Sequence, residues 1–359
     1  MKARHGLVIG KFYPPHLGHH HLVREAASRS ERLSVLVMGS SVESLGIEER
    51  VAWMREEHAG EHNVTILGVR DDHPVDYESD AVWRAHVELM REGARAITAE
   101  PVDAVYSSEP YGEELGRRLG ARHVLVDLSR GRFPVSGTAV RRDLVARWAE
   151  LAPAVRAGLA LRVVLVGAES TGKTTLAEAM CERLRLRGGA WQRTAWVSEA
   201  GRELTLEKLA ALGPTAQMEQ LVWQTPDFVD IAVEQNRREE EAARRGGPVL
   251  LCDTDAFATG IWHERYVGAR APEVESHASP GARRFYLLTH PDDVPFVDDG
   301  ARDGEHVRHW MTERFVERLD AEAFDWAWLR GEREERLERA LELVDEARSR
   351  AHRFSDPLG

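Results

Sequence analysis

Residues 163–180 read VVLVGAESTGKTTLAEAM. The four leading apolar residues suit a buried parallel strand, and the residues after the last glycine suit a helix. Between them Gly167, Gly172, Lys173 and Thr174 satisfy G-x-x-x-x-G-K-[ST], the phosphate-binding P-loop. The glycines let the backbone curl so that its N–H groups and the helix N-terminus face anionic phosphate, with Glu169, Ser170, Thr171 and Thr175 completing the cradle. Lys173 reaches the β and γ oxygens of a nucleoside triphosphate and Thr174 can hold Mg²⁺. A lone glycine-rich turn is the bland alternative, and the strand and helix flanks argue against it.

Working outward, short apolar runs alternate with longer amphipathic stretches, the βαβ pattern of a doubly wound parallel sheet. The pattern occurs twice. In the first half strands are expected at 7–9, 33–38, 64–69, 104–107 and 123–127, with helices at 18–28, 48–58, 80–93 and 112–119. A further helix is expected at 138–148. Pro153 and Gly158 then break the periodicity, which places a boundary at 152–161 and predicts domains over 1–155 and 161–359. In the second half strands are expected at 163–166, 195–198, 249–252 and 285–288. A C-terminal helix at 332–352 presents Leu337, Leu341, Val344 and Ala347 on one face and a solvated charge run on the others.

A P-loop needs a metal-side acid at the end of a neighbouring strand, and PVLLCDTD supplies Asp253 as first choice for Mg²⁺. Asp255 reads as a helix cap. Transfer to a hydroxyl acceptor also needs a carboxylate, and Glu199 is placed as general base; a structural ion pair with Arg202 is the competing reading. The segment DDGARDGEHVR, 298–308, reads as a closing lid carrying Arg302 and Arg308 to neutralise transferring phosphate, against a plain exposed loop.

The first strand leads into GKFYPPHLGHHHL, where His16, Gly18 and His19 form H-x-G-H at the mouth of a helix. Alone that spacing is a weak signal. It gains weight from lying on the first β-to-α turn, where a doubly wound sheet binds nucleotide phosphates. Gly18 allows close backbone approach, the imidazoles donate to phosphate oxygens as charge builds on leaving pyrophosphate, and Lys11 adds a positive charge. Gly10 and Phe12 belong to the same nucleotide-binding turn. Later, FPVSGTAVRRD presents Ser136, Thr138 and Arg141 at a loop-to-helix junction, a second anion setting in which Ser136 and Thr138 can also act as caps. Two phosphate-binding elements on one sheet point to nucleotidyl transfer.

Composition narrows the classes. At 359 residues with 43% hydrophobic and 30% charged residues, the chain reads as a soluble two-domain protein. A net charge of −12 argues against a nucleic-acid-binding surface. The 2 cysteines, Cys181 and Cys252, lack metal spacing and fit a reducing cytoplasm. No apolar run approaches a membrane span, so no membrane partner is expected, and a homo-oligomer is compatible with the sequence.

Together these motifs resemble the bifunctional NadR-type family, which joins nicotinamide-nucleotide adenylyltransferase to ribosylnicotinamide kinase. GKFYPPHLGH is similar to the family's G-K-F-x-P-x-H-x-G-H, SGTAVR to its I-S-G-T-x-[IV]-R, and GAESTGKTT to its kinase P-loop, in the same order along nearly the whole chain. The resemblance implies two active sites using ATP and Mg²⁺, with nicotinamide mononucleotide and ribosylnicotinamide as substrates. It implies substrate-side roles for Ser107, Ser108, Glu109 and Tyr111 in DAVYSSEPYGEELGRRLGARHVLVD. Trp83 becomes a ring for stacking on nicotinamide, although a single aromatic is more often core. Strand one starts near residue 7, so the helix-turn-helix domain of some members, and with it transcriptional repression, is not expected. Val135 replaces the family isoleucine harmlessly, and the regions WVSEAGRE and QMEQLVWQTPDFVD match least well.

Three rivals follow. A class I aminoacyl-tRNA synthetase needs a lysine-rich loop, which four lysines, Lys2, Lys11, Lys173 and Lys208, do not provide. An adenylyltransferase for another phosphate ester, such as phosphopantetheine, fused to a different small-molecule kinase is separable by substrate. A nucleotide-sensing regulator without turnover is separable by activity.

Overall fold

The computed structural model describes residues 2–76, 78–127, 131–278, 283–297 and 304–358. The chain divides into two compact units, Met1–Val155 with Arg353–Gly359, and Arg156–His352.

In the first unit β1 (Ala3–Gly10), α1 (Leu17–Ser28), β2 (Ser30–Gly39), α2 (Ile47–Glu57), β3 (Val64–Arg70), α3 (Asp80–Ile97), β4 (Ala104–Ser107), α4 (Tyr111–Leu119), β5 (Arg122–Leu125) and α5 (Gly137–Arg142) follow in order. The strands form one sheet in the order β3-β2-β1-β4-β5, with every pairing parallel. Alternation along the strands splits the core between the two faces. Val8, Leu33, Val35, Val37 and Tyr106 pack with Leu22, Val23 and Ala26 of α1 and Met54 of α2. Leu7, Ile9, Leu36, Met38 and Val105 pack with Trp83, Val87 and Met90 of α3 and Leu115 of α4. The strand order reverses beside β1, which opens a crevice at its carboxyl end.

The helix expected at 138–148 stops at Arg142. Asp143 leaves helical geometry at φ −146° and its Oδ1 accepts the Ala146 N–H at 2.9 Å, so a local side-chain turn replaces the next helical bond.

After α6 (Pro153–Leu159), the second unit contains β6 (Leu161–Val166), α7 (Lys173–Arg185), β7 (Ala195–Val197), α8 (Ala200–Leu212), α9 (Thr225–Arg245), β8 (Val249–Asp253), α10 (Ala256–Val267), α11 (Pro272–Glu275), β9 (Arg284–Thr289), α12 (Arg308–Ala321), β10 (Trp326–Leu329) and α13 (Arg333–Ala351). Its sheet runs β10-β9-β6-β8-β7, again with all pairings parallel. β10, WAWL, was not among the expected strands. One face buries Val163, Leu165, Leu251 and Leu287 against Leu176, Met180 and Leu184 of α7, and against Leu337, Leu341, Val344 and Ala347 of α13. The opposite face carries a buried polar network. Arg284 donates to Glu239 at 2.7 Å and Asp255 at 3.1 Å, and the Tyr286 hydroxyl donates to Asp255 at 2.8 Å. Asp255 also caps α10 through the Ala258 N–H at 3.0 Å, the role the sequence assigned to it. Among the described residues no helix is long and apolar enough to cross a membrane.

Candidate active sites

In the first unit the chain leaves β1 at Gly10 and turns through Lys11 and Phe12 to His16, which caps α1. The His16 N–H donates to His19 Nδ1 at 3.3 Å, and the two rings stack with centroids 3.6 Å apart. Because Nδ1 accepts, a neutral His19 carries its proton on Nε2 and presents that as its donor. A Cβ on Gly18 would lie 3.2 Å from the His16 ring and 3.4 Å from Val135, so the stacked pair depends on glycine there. Phe12 meets the His19 ring edge-on at 4.9 Å.

From across the sheet, α5 brings Ser136, Thr138 and Arg141. Ser136 Oγ caps α5 by accepting the Ala139 N–H at 3.2 Å. Arg141 donates to the Tyr13 carbonyl at 2.8 Å and to Thr138 Oγ1 at 3.3 Å. Lys11 Nζ donates to the Leu358 carbonyl at 2.6 Å. Burial pushes the Lys11 ammonium below its ordinary value, Glu43 opposes this and Arg141 adds to it. The Lys11 carbonyl is fixed by Arg50, which is fully buried, donates to it at 2.7 Å and pairs with Glu43 at 2.9 Å.

These residues line one cavity of about 460 Å³. Of the residues singled out in the first half, Gly10, Lys11, Phe12, His16, Gly18, His19, Trp83, Ser108, Glu109, Tyr111, Ser136, Thr138 and Arg141 all border it. Ser107 does not line the cavity: its hydroxyl is buried, donates to the Glu109 carbonyl at 2.8 Å and bonds His123 Nε2 at 2.9 Å. Trp83 borders the cavity while packing into the α3 face, with Arg118 5.2 Å from its ring centre. The sequence reading missed Asp71, His86, Phe133 and Pro357, which also line the cavity. Asp71 and His86 stand on unremarkable loop and helix sequence, and no motif marks Pro357.

In the second unit the loop between β6 and α7 has Gly167 at φ 137°, Ser170 at φ 57° and Gly172 at φ 83°. A Cβ on Gly167 would stand 2.5 Å from Thr289 Oγ1, which itself donates to the Val166 carbonyl at 3.1 Å. Lys173 Nζ donates to the Gly167 and Ala168 carbonyls at 3.0 and 2.8 Å, across the hollow of the loop. Glu169 and Ser170 form the loop's partly exposed crest, Thr171 is buried against Thr289 at 2.7 Å, and Thr174 and Thr175 open α7.

The Thr174 hydroxyl donates to Asp253 Oδ2, while Asp253 Oδ1 is buried without a hydrogen-bond partner among the described residues. A buried carboxylate oxygen with unused lone pairs beside a P-loop hydroxyl is a donor set suited to Mg²⁺. Burial raises the Asp253 carboxyl, against the pull of Lys173 and Thr174. Glu199 stands at the N-cap position of α8; burial and the Asp253 charge push its carboxyl up to about 7, opposed by Lys173 and Arg202. Lys173, Thr174, Asp253 and Glu199 therefore share one electrostatic neighbourhood.

Arg302 lies outside the described residues. Arg308, expected on a lid, is buried at 4% exposure and donates to the Ser170, Pro291 and Val294 carbonyls at 3.2, 2.8 and 2.8 Å. Arg336, from the helix read as a solvated charge run, is also buried and donates to the Thr171 carbonyl at 2.9 Å. Both guanidiniums brace the P-loop from behind its carbonyls. A further group missed by sequence is the aromatic cluster of Trp223, Phe228, Trp262 and Tyr266, packed against Ala200 next to Glu199. Trp223 stands 5.4 Å from Tyr266, and its buried indole N–H has no hydrogen-bond partner among the described residues.

The matching family model is described as an AAA domain and spans residues 162–336. The trifunctional NAD biosynthesis/regulator protein NadR of Salmonella typhimurium is 24% identical over 95% of this chain and 82% of its own. The nicotinamide-nucleotide adenylyltransferase of Aeropyrum pernix is 42% identical over 38% of this chain and 76% of its own. A crystal structure of a NadR protein in complex with NAD and AMP-PNP has the same fold, with a TM-score of 0.65 at 20% identity, over 97% of this chain and 96% of that one. The chain thus belongs to the NadR-type family of NAD biosynthesis proteins, joining a nucleotidyltransferase of the nicotinamide-nucleotide adenylyltransferase kind to a P-loop domain.

Proposed function

We propose that the chain carries out two consecutive ATP-dependent reactions: phosphorylation of ribosylnicotinamide to nicotinamide mononucleotide in the second unit, and adenylylation of that product to NAD in the first. The observation that carries the reading is the convergence of Lys11, His16, His19 and Arg141 on one cavity whose wall includes Trp83.

In the adenylyl transfer a phosphate oxygen of nicotinamide mononucleotide forms a bond to the α-phosphorus of ATP, and the bond to the pyrophosphate oxygen breaks. The attacking phosphate is already ionised and needs no base. Catalysis is alignment plus stabilisation of charge on the leaving group by Lys11, Arg141 and the His19 Nε2–H. Burial makes these cations more effective, because field lines between them and the phosphates pass through protein rather than water. Trp83 offers a face for the pyridine ring, and Ser108, Glu109 and Tyr111 offer polar groups on the substrate side.

In the phosphoryl transfer the 5′-hydroxyl attacks the γ-phosphorus, its proton passes to Glu199, and the bond to ADP breaks. A carboxyl raised to about 7 is matched to accepting a proton near neutral pH. Lys173 steadies the charge, and Thr174 with Asp253 would hold Mg²⁺, which neutralises phosphate oxygens when bound. The aromatic cluster beside Ala200 is a suitable wall for an aromatic acceptor.

Purified protein with ATP, Mg²⁺ and nicotinamide mononucleotide should form NAD, and with ribosylnicotinamide it should form the mononucleotide, both followed by chromatography. Turnover of phosphopantetheine in place of nicotinamide mononucleotide would replace the first assignment. Nucleotide binding without turnover would leave a sensor.

A further inference from the structure

Asp71 and His86 at the rim of the first unit's cavity, and His73 beside them, take no part in the chemistry above. Asp71 follows β3 directly, its backbone N–H held by the Gly39 carbonyl at 2.8 Å. His73 lies two residues further on, and His86 stands on α3 almost one turn beyond Trp83. Asp71 Oδ1 meets His73 Nδ1 at 2.9 Å, and Asp71 Oδ2 meets His86 Nδ1. One ligand atom from each of the three residues lies within 4.8 Å of the other two.

We propose that Asp71, His73 and His86 bind one divalent transition-metal ion at the edge of this cavity. The decisive contact is on the far side of His86, where Nε2 lies 3.3 Å from the Pro74 carbonyl. A carbonyl oxygen only accepts, so Nε2 carries the proton and a neutral ring presents a lone pair at Nδ1. The carboxylate oxygen facing it is also an acceptor. Two opposed lone pairs are held together by a cation between them, either a proton or a metal ion. His73 brings a second imidazole Nδ1 onto the same carboxylate, so three potential ligand atoms converge on one point. An outer carbonyl that orients the ring of a ligating histidine is also the usual companion of such sites.

Exposure fits an open coordination sphere. The Asp71 and His86 side chains are 9% and 13% exposed, whereas His73 is 51% exposed. The ion would enter from the His73 side and keep positions for water or a substrate oxygen. Two imidazoles and one carboxylate select zinc, cobalt, nickel or ferrous iron over magnesium and calcium, which prefer all-oxygen sites. The site is thereby chemically distinct from Thr174 and Asp253.

Chelator-treated full-length protein titrated with Co²⁺ in excess Mg²⁺ tests this directly. One equivalent should bind and give visible d–d absorption. His73→Ala and His86→Ala should each weaken binding by about 100-fold or more, since even outer-sphere partners are worth about 10–100-fold. Asp253→Asn should leave the absorption unchanged. His73 stands on the exposed side of the site, so its variant should keep the native circular dichroism and remain interpretable. No Co²⁺ absorption, or absorption unaltered by His73→Ala, overturns the proposal and leaves a proton as the bridging cation.

Discussion

His19 and Lys173 stand in different units, each in contact range of a different phosphate-binding loop. Replacing His19 by alanine removes one donor to the leaving pyrophosphate, and adenylyl transfer should fall about 10²–10³-fold in kcat with phosphoryl transfer unchanged. Lys173→Ala should do the reverse by a similar factor. Parallel assays of both reactions on each variant check this, and loss of both activities in either variant would refute separate sites. Glu199→Gln keeps shape and removes the base; phosphoryl transfer should fall about 10²–10⁴-fold while ATP still binds. A merely structural pairing with Arg202 would predict a stability change and little loss of turnover. Much at this scale was legible in the sequence, because glycine spacing and a lysine at a loop-to-helix junction are dictated by phosphate geometry. Arg308 and Arg336 were not legible. Their carbonyl partners become neighbours only after the chain folds, and a surface-like charge pattern gives no hint that a guanidinium is buried.

Among the elements, α1 and α2 hold a buried histidine pair, with His20 Nδ1 3.1 Å from His58 Nε2. Burial, and for His20 the neighbouring His58 charge, lower both pKa values below the ordinary 6.5. A depressed folded-state pKa means that the unfolded chain binds more protons below about pH 6.5. Stability from this pair is therefore complete above that pH and declines as pH falls through the range between the unfolded and folded values. The slope is bounded above by about 1.4 kcal/mol per pH unit for each histidine. Denaturant midpoints of the first unit, measured from pH 7 down to pH 5, should fall, and His58→Gln should flatten the slope. Apolar periodicity located nine of the ten strands found among the described residues, since buried parallel strands read as short β-branched runs bounded by breakers. It overran α5, where one Asx turn at Asp143 outweighed a helix-compatible sequence. It also passed over β10, whose four residues contain two tryptophans and no aliphatic run.

For the whole molecule, the feature with widest reach is the return of residues 353–358 from the end of α13 to the first unit. Tyr13 meets Phe354 edge-on at 5.8 Å and donates to the Ser355 carbonyl at 3.1 Å, Pro357 lines the cavity, and the Leu358 carbonyl accepts from Lys11. A carbonyl on Lys11 competes with phosphate for the same ammonium. Ending the chain at residue 352 should lower the adenylyl-transfer KM for ATP about threefold to tenfold, on the scale of one exchanged hydrogen bond, and leave phosphoryl-transfer kinetics unaltered. Steady-state kinetics on the shortened protein decide it, and an unchanged or raised KM would count against competition by the tail.

The same return constrains anyone who wishes to dissect or rearrange the gene. A fragment stopped at residue 155 would lose the Pro357 and Leu358 contacts at its nucleotide pocket together with their competition for Lys11. Splitting the two activities onto separate polypeptides therefore also sets the ATP affinity of the first, according to whether residues 353–358 travel with it.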